Sequence, residues 1–262
     1  MPVYFILTLC TSVIGAISGI GGGVLMKPVL DLLSPMNAAS INFVSSSAVF
    51  AMAAVSLIKS RKEKQKIKIR ESSILVLGST LGGVAGKSLF QVLIALLSEE
   101  NAKLLQSTLL SFVTFAVFLY FSVYSRTTFS LKNFWAIFSV GFLLGSVSVF
   151  LGIGGGPLNL AALSFFFSMP PKQTALNSIY IIFFSQLASF FTYAAQGSFP
   201  LVPGPIIIFM ISGSIVGGYL GTFLRLRMSD VTAQKLFKLI LLCILALNLY
   251  NAFHFATLTT HF

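Results

Sequence analysis

Two short stretches of this chain have the composition to do chemistry with the main chain alone: Gly19-Ile20-Gly21-Gly22-Gly23 and Gly152-Ile153-Gly154-Gly155-Gly156. Each closes a long apolar run and is followed at once by a shorter one. Lipid cannot satisfy free N–H and C=O groups, so non-helical backbone at membrane depth persists only inside protein or beside a water-filled cavity. Glycine there permits positive φ and lets a ligand approach the backbone closely. Helices that restart at Val24 and Pro157 would aim their first N–H groups and their positive dipole ends into the gap, which suits an anion. Pro157 fits a first helical position, because the N–H it lacks would have had no intrahelical partner. Gly21, Gly22, Gly23, Gly154, Gly155 and Gly156 are therefore the main-chain candidates for an anion site. Close helix packing through small residues is the plain alternative for the same glycines.

Several side chains stand where they could assist. Asn42 and Asn177 occupy equivalent places in two apolar runs. An amide there is costly unless bonded, and it can donate to an anion or cap a broken helix. Ser45 to Ser47 follow Asn42, and Ser45 is the one taken as a cavity candidate against interhelical bonding. Gln186 lies further along the run that holds Asn177. Lys27 and Asp31 are four residues apart on the short segment after the first glycine break. A lysine deep in the membrane attracts an anion, whereas one near a helix end snorkels to the interface. Asp31 is the one carboxylate in an apolar span and the candidate for proton coupling.

The elements that must carry these residues are membrane helices. The 262 residues are 56% hydrophobic and 9% charged, with 27 phenylalanines and a mean hydropathy of +0.95. A soluble fold of that composition would expose far too much apolar surface. A span needs about 20 apolar residues to cross about 30 Å of hydrocarbon. The runs fall at 3–18, 24–34, 38–58, 72–97, 103–124, 134–151, 157–169, 173–195, 203–224 and 233–253. The second and seventh are short and follow the glycines directly. No Lys or Arg precedes Lys27, so the first run reads as a retained helix rather than a cleaved signal. Cys10 and Cys243 lie within apolar runs and form no metal-ligand pattern, so no metal and no cofactor is expected.

The two halves repeat. An offset of 133 superposes the glycine stretches, and one of 135 then pairs Asn42 with Asn177 and Gly78, Gly82 and Gly86 with Gly213, Gly217 and Gly221. Several separated matches of this kind define an internal repeat, with a first unit at 1–125 and a second at 126–262. Helix packing is the preferred role for these spaced glycines. The segment 59–70 carries seven Lys or Arg against one Glu63 and is expected to be cytoplasmic. Arg225 and Arg227 come one connection later in the second half. If each glycine break is the tip of a helical hairpin, every half has five helices and the halves are inverted. Then 59–70, 126–132 and 225–235 all lie inside. The expected fold is thus an all-α integral membrane protein of two inverted repeats, each with a glycine-broken first helix, giving eight long spans and two short half-helices. Broken helices in inverted repeats hold a transporter's substrate near the midplane.

Other classes fit less well. An enzyme needs acids, His or Cys converging within the membrane, and the spans offer only Asp31. A dinucleotide-binding loop needs a preceding strand, and here a helix-length apolar run precedes the glycines. The basic 59–70 loop reads as an orientation signal that touches anionic lipid, not as a nucleic-acid surface. A passive anion channel, or a carrier of small carboxylates, is the alternative kept in view.

At the paired glycine stretches the chain resembles the sulfite exporter TauE/SafE family, also called the 4-toluene sulfonate uptake permease family. That family carries a G-x-G-G-G motif early in each of two repeats, commonly followed by a proline. Gly19 to Gly23 with Pro28 matches the first copy, and Gly152 to Gly156 the second, with Pro157 directly after the glycines instead of a few residues on. Where members often carry a Thr-Ser stretch, this chain reads Asn-Phe-Val-Ser-Ser-Ser at 42–47 and Asn-Ser-Ile-Tyr-Ile-Ile at 177–182. The resemblance implies a secondary transporter in the cell inner membrane that moves a small sulfur-containing anion such as sulfite, a sulfonate or sulfoacetate by alternating access. The partners it implies are that anion, the bilayer, a coupling proton or cation, and a second copy of the chain as a homodimer.

Overall fold

The computed structural model describes residues 2–36, 38–61, 66–97, 99–123, 129–151, 155–195 and 202–259. Among them the chain forms ten α-helices and no strand. In order they are α1 (Pro2–Ser18), α2 (Gly23–Leu33), α3 (Ala38–Ser60), α4 (Ile69–Leu96), α5 (Glu99–Val123), α6 (Phe134–Phe150), α7 (Gly156–Phe167), α8 (Pro171–Ala195), α9 (Gly204–Arg227) and α10 (Asp230–Thr259). The helices track the apolar runs closely, because glycine stretches and polar loops supply every stop. Five stretches are long and apolar enough to cross a membrane, in α3, α5, α8, α9 and α10. That is fewer than the eight long spans expected. Helices α1 and α6 have 17 residues each, about 25 Å at 1.5 Å per residue, and stop short of the roughly 30 Å core. Helix α4 is 28 residues long but carries Arg70, Glu71 and Lys87.

Each broken pair is a hairpin. Tyr4 Oη lies 3.5 Å from Ser34 Oγ, so α1 begins where α2 ends. Phe129 and Leu131 donate their N–H groups to the carbonyls of Phe165 and Phe166, so the strand of chain entering α6 meets the end of α7. Lys68 Nζ also reaches the Phe167 carbonyl, at 3.3 Å. Gln173 Nε2 bonds the Lys66 carbonyl, and Arg225 Nη2 donates to Ser60 Oγ at 2.6 Å. The end of α3, the start of α4, the approach to α6, the end of α7, the start of α8 and the end of α9 thus gather at one end of the bundle. Tyr4 and Leu7 of α1 pack instead with Ile206 and Val202, at the start of α9 and at the other end.

The tightest helix pairs exchange between the halves: α4 packs on α6, and α9 packs on α1. Both seams are lined by glycines four residues apart. A Cβ added at Gly78, Gly82 or Gly86 would run into the carbonyl oxygens of Phe138, Phe142 or Ser146 on α6, and one added at Gly213, Gly217 or Gly221 into those of Phe5, Leu9 or Val13 on α1. Van der Waals contact of this kind holds membrane helices together, since lipid provides no hydrophobic drive between them. Large apolar side chains, among them Phe112, Trp135, Phe191 and Phe253, cover the outside, as lipid-facing helices require.

Candidate functional site

The first break is closed mostly by its own backbone. Gly19 and Gly21 both take left-handed φ values, +78° and +79°, which a side chain would resist. Their N–H groups donate to the Gly15 carbonyl, at 2.9 and 3.4 Å, and Ile20 N–H reaches Ser18 Oγ at 3.4 Å. This is a left-handed helix cap of the usual glycine kind. The next N–H groups, at the start of α2, have Gly22 as their N-cap, with no capping side chain. From across the interface Ser178 Oγ donates to the Gly19 carbonyl at 2.7 Å.

The second break restarts its helix with a different backbone: Gly22 is right-handed, with φ −62°, whereas its counterpart is left-handed. Gly155 takes φ +88° and is the N-cap of α7, again without a capping side chain. Gly152, Ile153 and Gly154 lie outside the described residues, and so does the candidate Gly154. A Cβ built on Gly155 would sit 2.9 Å from Asn159 Nδ2 and 3.2 Å from Ser148 Oγ, so two polar side chains face the start of α7.

The two breaks meet. Gly156 abuts Ile20: an added Cβ would strike the Ile20 carbonyl oxygen and lie 2.6 Å from Ile20 Cγ2. Ile20 and Val24 share one buried cluster with Leu151 and Leu160, backed by Phe121 of α5 and Phe237, Ile240 and Leu241 of α10. Elsewhere around the first break, a Cβ added at Gly21 would lie 3.0 Å from Ile182 Cδ1 and one added at Gly23 3.1 Å from Val49 Cγ2. Helices α3 and α8 therefore close over these glycines.

The candidate side chains divide between these surroundings. Ser45 and Asn42 lie one and two turns before Val49 on α3, and Gln186 one turn after Ile182 on α8, so these three extend along the faces that cover Gly21 and Gly23. Ser45 is buried and its Oγ has no hydrogen-bond partner among the described residues. Gln186 is buried and Asn42 half-buried. Asn177 points elsewhere. Its Oδ1 accepts from Lys68 N–H at 2.8 Å and from Ser72 Oγ at 2.7 Å, and its Nδ2 donates to the Gln173 carbonyl at 2.8 Å. In the structure this amide ties α8 to the start of α4, which is not one of the broken helices. Lys27 is buried on α2. Its Nζ donates to Gln106 Oε1 at 3.3 Å, and Gln106 Nε2 donates to the Phe150 carbonyl at 2.6 Å. A polar chain thus runs from the first broken helix through α5 to the last turn of α6.

Sequence reasoning did not single out Gln106, Ser148, Asn159 or Arg225. The first three are polar residues inside apolar runs, which is the signal that picked out Asn42, and it applies to them equally. Arg225 is fully buried, where the charge pattern suggested a loop-side residue.

A family model described as sulfite exporter TauE/SafE matches residues 4–249. A probable membrane transporter protein of Haemophilus influenzae is 28% identical over 250 residues, covering 91% of this chain and 91% of its own. A probable membrane transporter protein of Xylella fastidiosa is 28% identical over 236 residues, covering 88% of this chain and 87% of its own.

Proposed function

The chain belongs to the sulfite exporter TauE/SafE family, a family of multi-pass membrane transporters rather than enzymes, and from that premise we propose that it is a secondary transporter moving a small sulfur-containing anion of the sulfite, sulfonate or sulfoacetate type across the inner membrane by alternating access. The first N–H groups of α2 and α7 hold the anion's oxygens, each behind a glycine N-cap that offers no side-chain acceptor of its own. Helix N-termini favour anions for the same electrostatic reason whatever the fold. Ser45 and Ser148 complete the site, with Asn42, Asn159 and Gln186 around it.

The observation that carries this reading is the contact of Ile20 with Gly156, which brings two broken helices from the two halves to one point. Two further observations support inverted repeats. The α1–α2 hairpin enters from one end of the bundle and the α6–α7 hairpin from the other, and the α4 on α6 seam exchanges for the α9 on α1 seam when the halves are swapped. The described basic residues at the end of α3, the start of α4, the approach to α6 and the end of α9, among them Lys59, Lys68, Lys132 and Arg225, gather at one end, which the positive-inside rule makes cytoplasmic. The apolar cluster around Ile20 and Leu151 favours a carrier over an open anion pore, because it plugs the bundle where the breaks meet. A proton or cation gradient and a homodimeric assembly complete the proposal.

Flux into proteoliposomes tests it. The wild-type protein is expected to exchange internal for external sulfite or sulfoacetate and to discriminate against chloride, while Gly155→Leu inserts into the membrane and transports nothing. Full flux by Gly155→Leu, or equal flux of chloride, would remove this function.

A further inference from the structure

Helices α3 and α9 run side by side to the basic end of the bundle. They are tied where Ser56 Oγ donates to the Gly218 carbonyl at 3.5 Å and where Arg225 Nη2 donates to Ser60 Oγ at 2.6 Å. Ile58 of α3 and Val216, Leu220 and Leu224 of α9 are exposed, as side chains that meet acyl chains are. Two cations border this apolar surface. Lys59 Nζ lies 3.2 Å from the centroid of the Tyr219 ring and 5.2 Å from that of Phe223. The Arg227 guanidinium carbon lies 4.0 Å from the same Phe223 centroid. Tyr219, Phe223 and Arg227 recur every four residues and so form one stripe along α9, to which α3 adds Lys59.

The negative face of an aromatic ring attracts a cation placed over it. For a guanidinium that contact occupies the flat face and leaves the N–H edge, whose fork of donors matches a phosphate. A lysine that only snorkels carries its charge out to water, whereas Lys59 is half-buried and held against Tyr219. Neither α3 nor α9 contains an Asp or Glu, so the helices that fix these cations bring no carboxylate with them. A phosphodiester beside Phe223 meets both charges, and the hydrocarbon chain attached to it finds Leu220 and Val216 next along the helix. A dissolved anion has no use for that apolar stripe, and a choline headgroup would set a third cation beside two others.

We propose that Lys59, Tyr219, Phe223 and Arg227 form a binding site for the headgroup of an anionic phospholipid, with Phe223 as the platform that both cations share. The general attraction of the basic 59–70 segment for anionic lipid is a field effect of several charges. This site depends instead on two cations fixed on rings. Its lipid preference stands apart from the transporter reading, and only its place in the cytoplasmic leaflet rests on the orientation proposed above.

Quenching by brominated lipid reads the site directly. Leu220→Trp is placed in a Trp135→Phe background of the full chain, which removes the one native tryptophan. Position 220 is about 10 Å along α9 from Arg227, at the depth of bromines carried mid-chain. Leu143→Trp, at an exposed position of α6, is the reference in the same background. Each protein is reconstituted in mixtures of phosphatidylglycerol and phosphatidylcholine with one or the other dibrominated. Phosphatidylglycerol is expected to bind about threefold or more tighter than phosphatidylcholine at position 220 and about equally at 143. Lys59→Gln and Arg227→Gln are each expected to cut the preference at 220 by about half, and so is Phe223→Leu, which keeps both charges and removes their platform. Lys132→Gln, at the start of the α6 side, should leave it intact. Equal preference at 220 and 143 overturns the site without recourse to any charge variant, and so does a preference at 220 that survives Lys59→Gln and Arg227→Gln combined.

Discussion

Ile20 and Gly156, 136 positions apart in sequence, touch so closely that no Cβ fits at position 156 without striking the Ile20 carbonyl oxygen. The obstacle is backbone on both sides, which cannot rotate away as a side chain could. Gly156→Ala is therefore expected to push the two broken helices apart, to cost about 1–3 kcal/mol of stability, and to lower transport more than it lowers the amount of protein in the membrane. Flux per molecule equal to wild type would show that the contact is not needed for function.

The seams make a matched prediction. Gly217→Leu on α9 puts a branched side chain against the Leu9 carbonyl, and Gly82→Leu on α4 does the same against Phe142. Both variants should lose most of their detergent-stable folded protein on size-exclusion chromatography. Gly204, at the start of α9, has nothing within 4 Å of its Cβ position, so Gly204→Ala should be neutral or stabilising by a few tenths of a kcal/mol.

Asn177→Ala removes the acceptor shared by Lys68 N–H and Ser72 Oγ. Losing a cap costs about 1–2 kcal/mol. The expected signature is local, with faster hydrogen exchange in the first turn of α4 and little change in α9. Unchanged exchange there would mean that Asn177 does not cap α4 in solution.

Gln106→Leu removes the amide that accepts from Lys27 Nζ and donates to the Phe150 carbonyl. A lost intramolecular hydrogen bond costs about 0.5–1.5 kcal/mol, and here the two bonds also tie the first broken helix to the turn that precedes the second break. Both the melting temperature and the transport rate should fall. A fall in melting temperature alone would confine Gln106 to a structural role.

The helices were legible because each stop is written locally: glycine stretches end α1 and α6, and charged or prolyl segments bound the rest. The breaks were legible for the same reason, glycine being the residue that takes φ values of +78° and +88° without strain. Partners across the molecule were not. Asn42 and Asn177 look equivalent in sequence, yet only a neighbour 109 positions away decides that Asn177 caps α4. Counting basic residues near a span gives the side of the membrane, not the direction in which a side chain points, so the inward turn of Arg225 toward Ser60 was not legible. Lys27 shows the converse, a lysine near a helix start that packs against Gln106 and does not reach the interface.

The central claim, that two glycine breaks form one anion site, is tested most directly by anion-dependent thermal stabilisation of the purified protein, scanning sulfite, thiosulfate, sulfoacetate, taurine and small carboxylates against chloride at constant ionic strength. An anion at roughly 100 times its Kd adds about 2.7 kcal/mol to the folded state, which corresponds to about 5 °C for a chain of this size. The account predicts a selective rise with one or more sulfur anions that is lost or sharply reduced in Gly155→Leu. A response that is flat across the series, or equally large in Gly155→Leu, would contradict it.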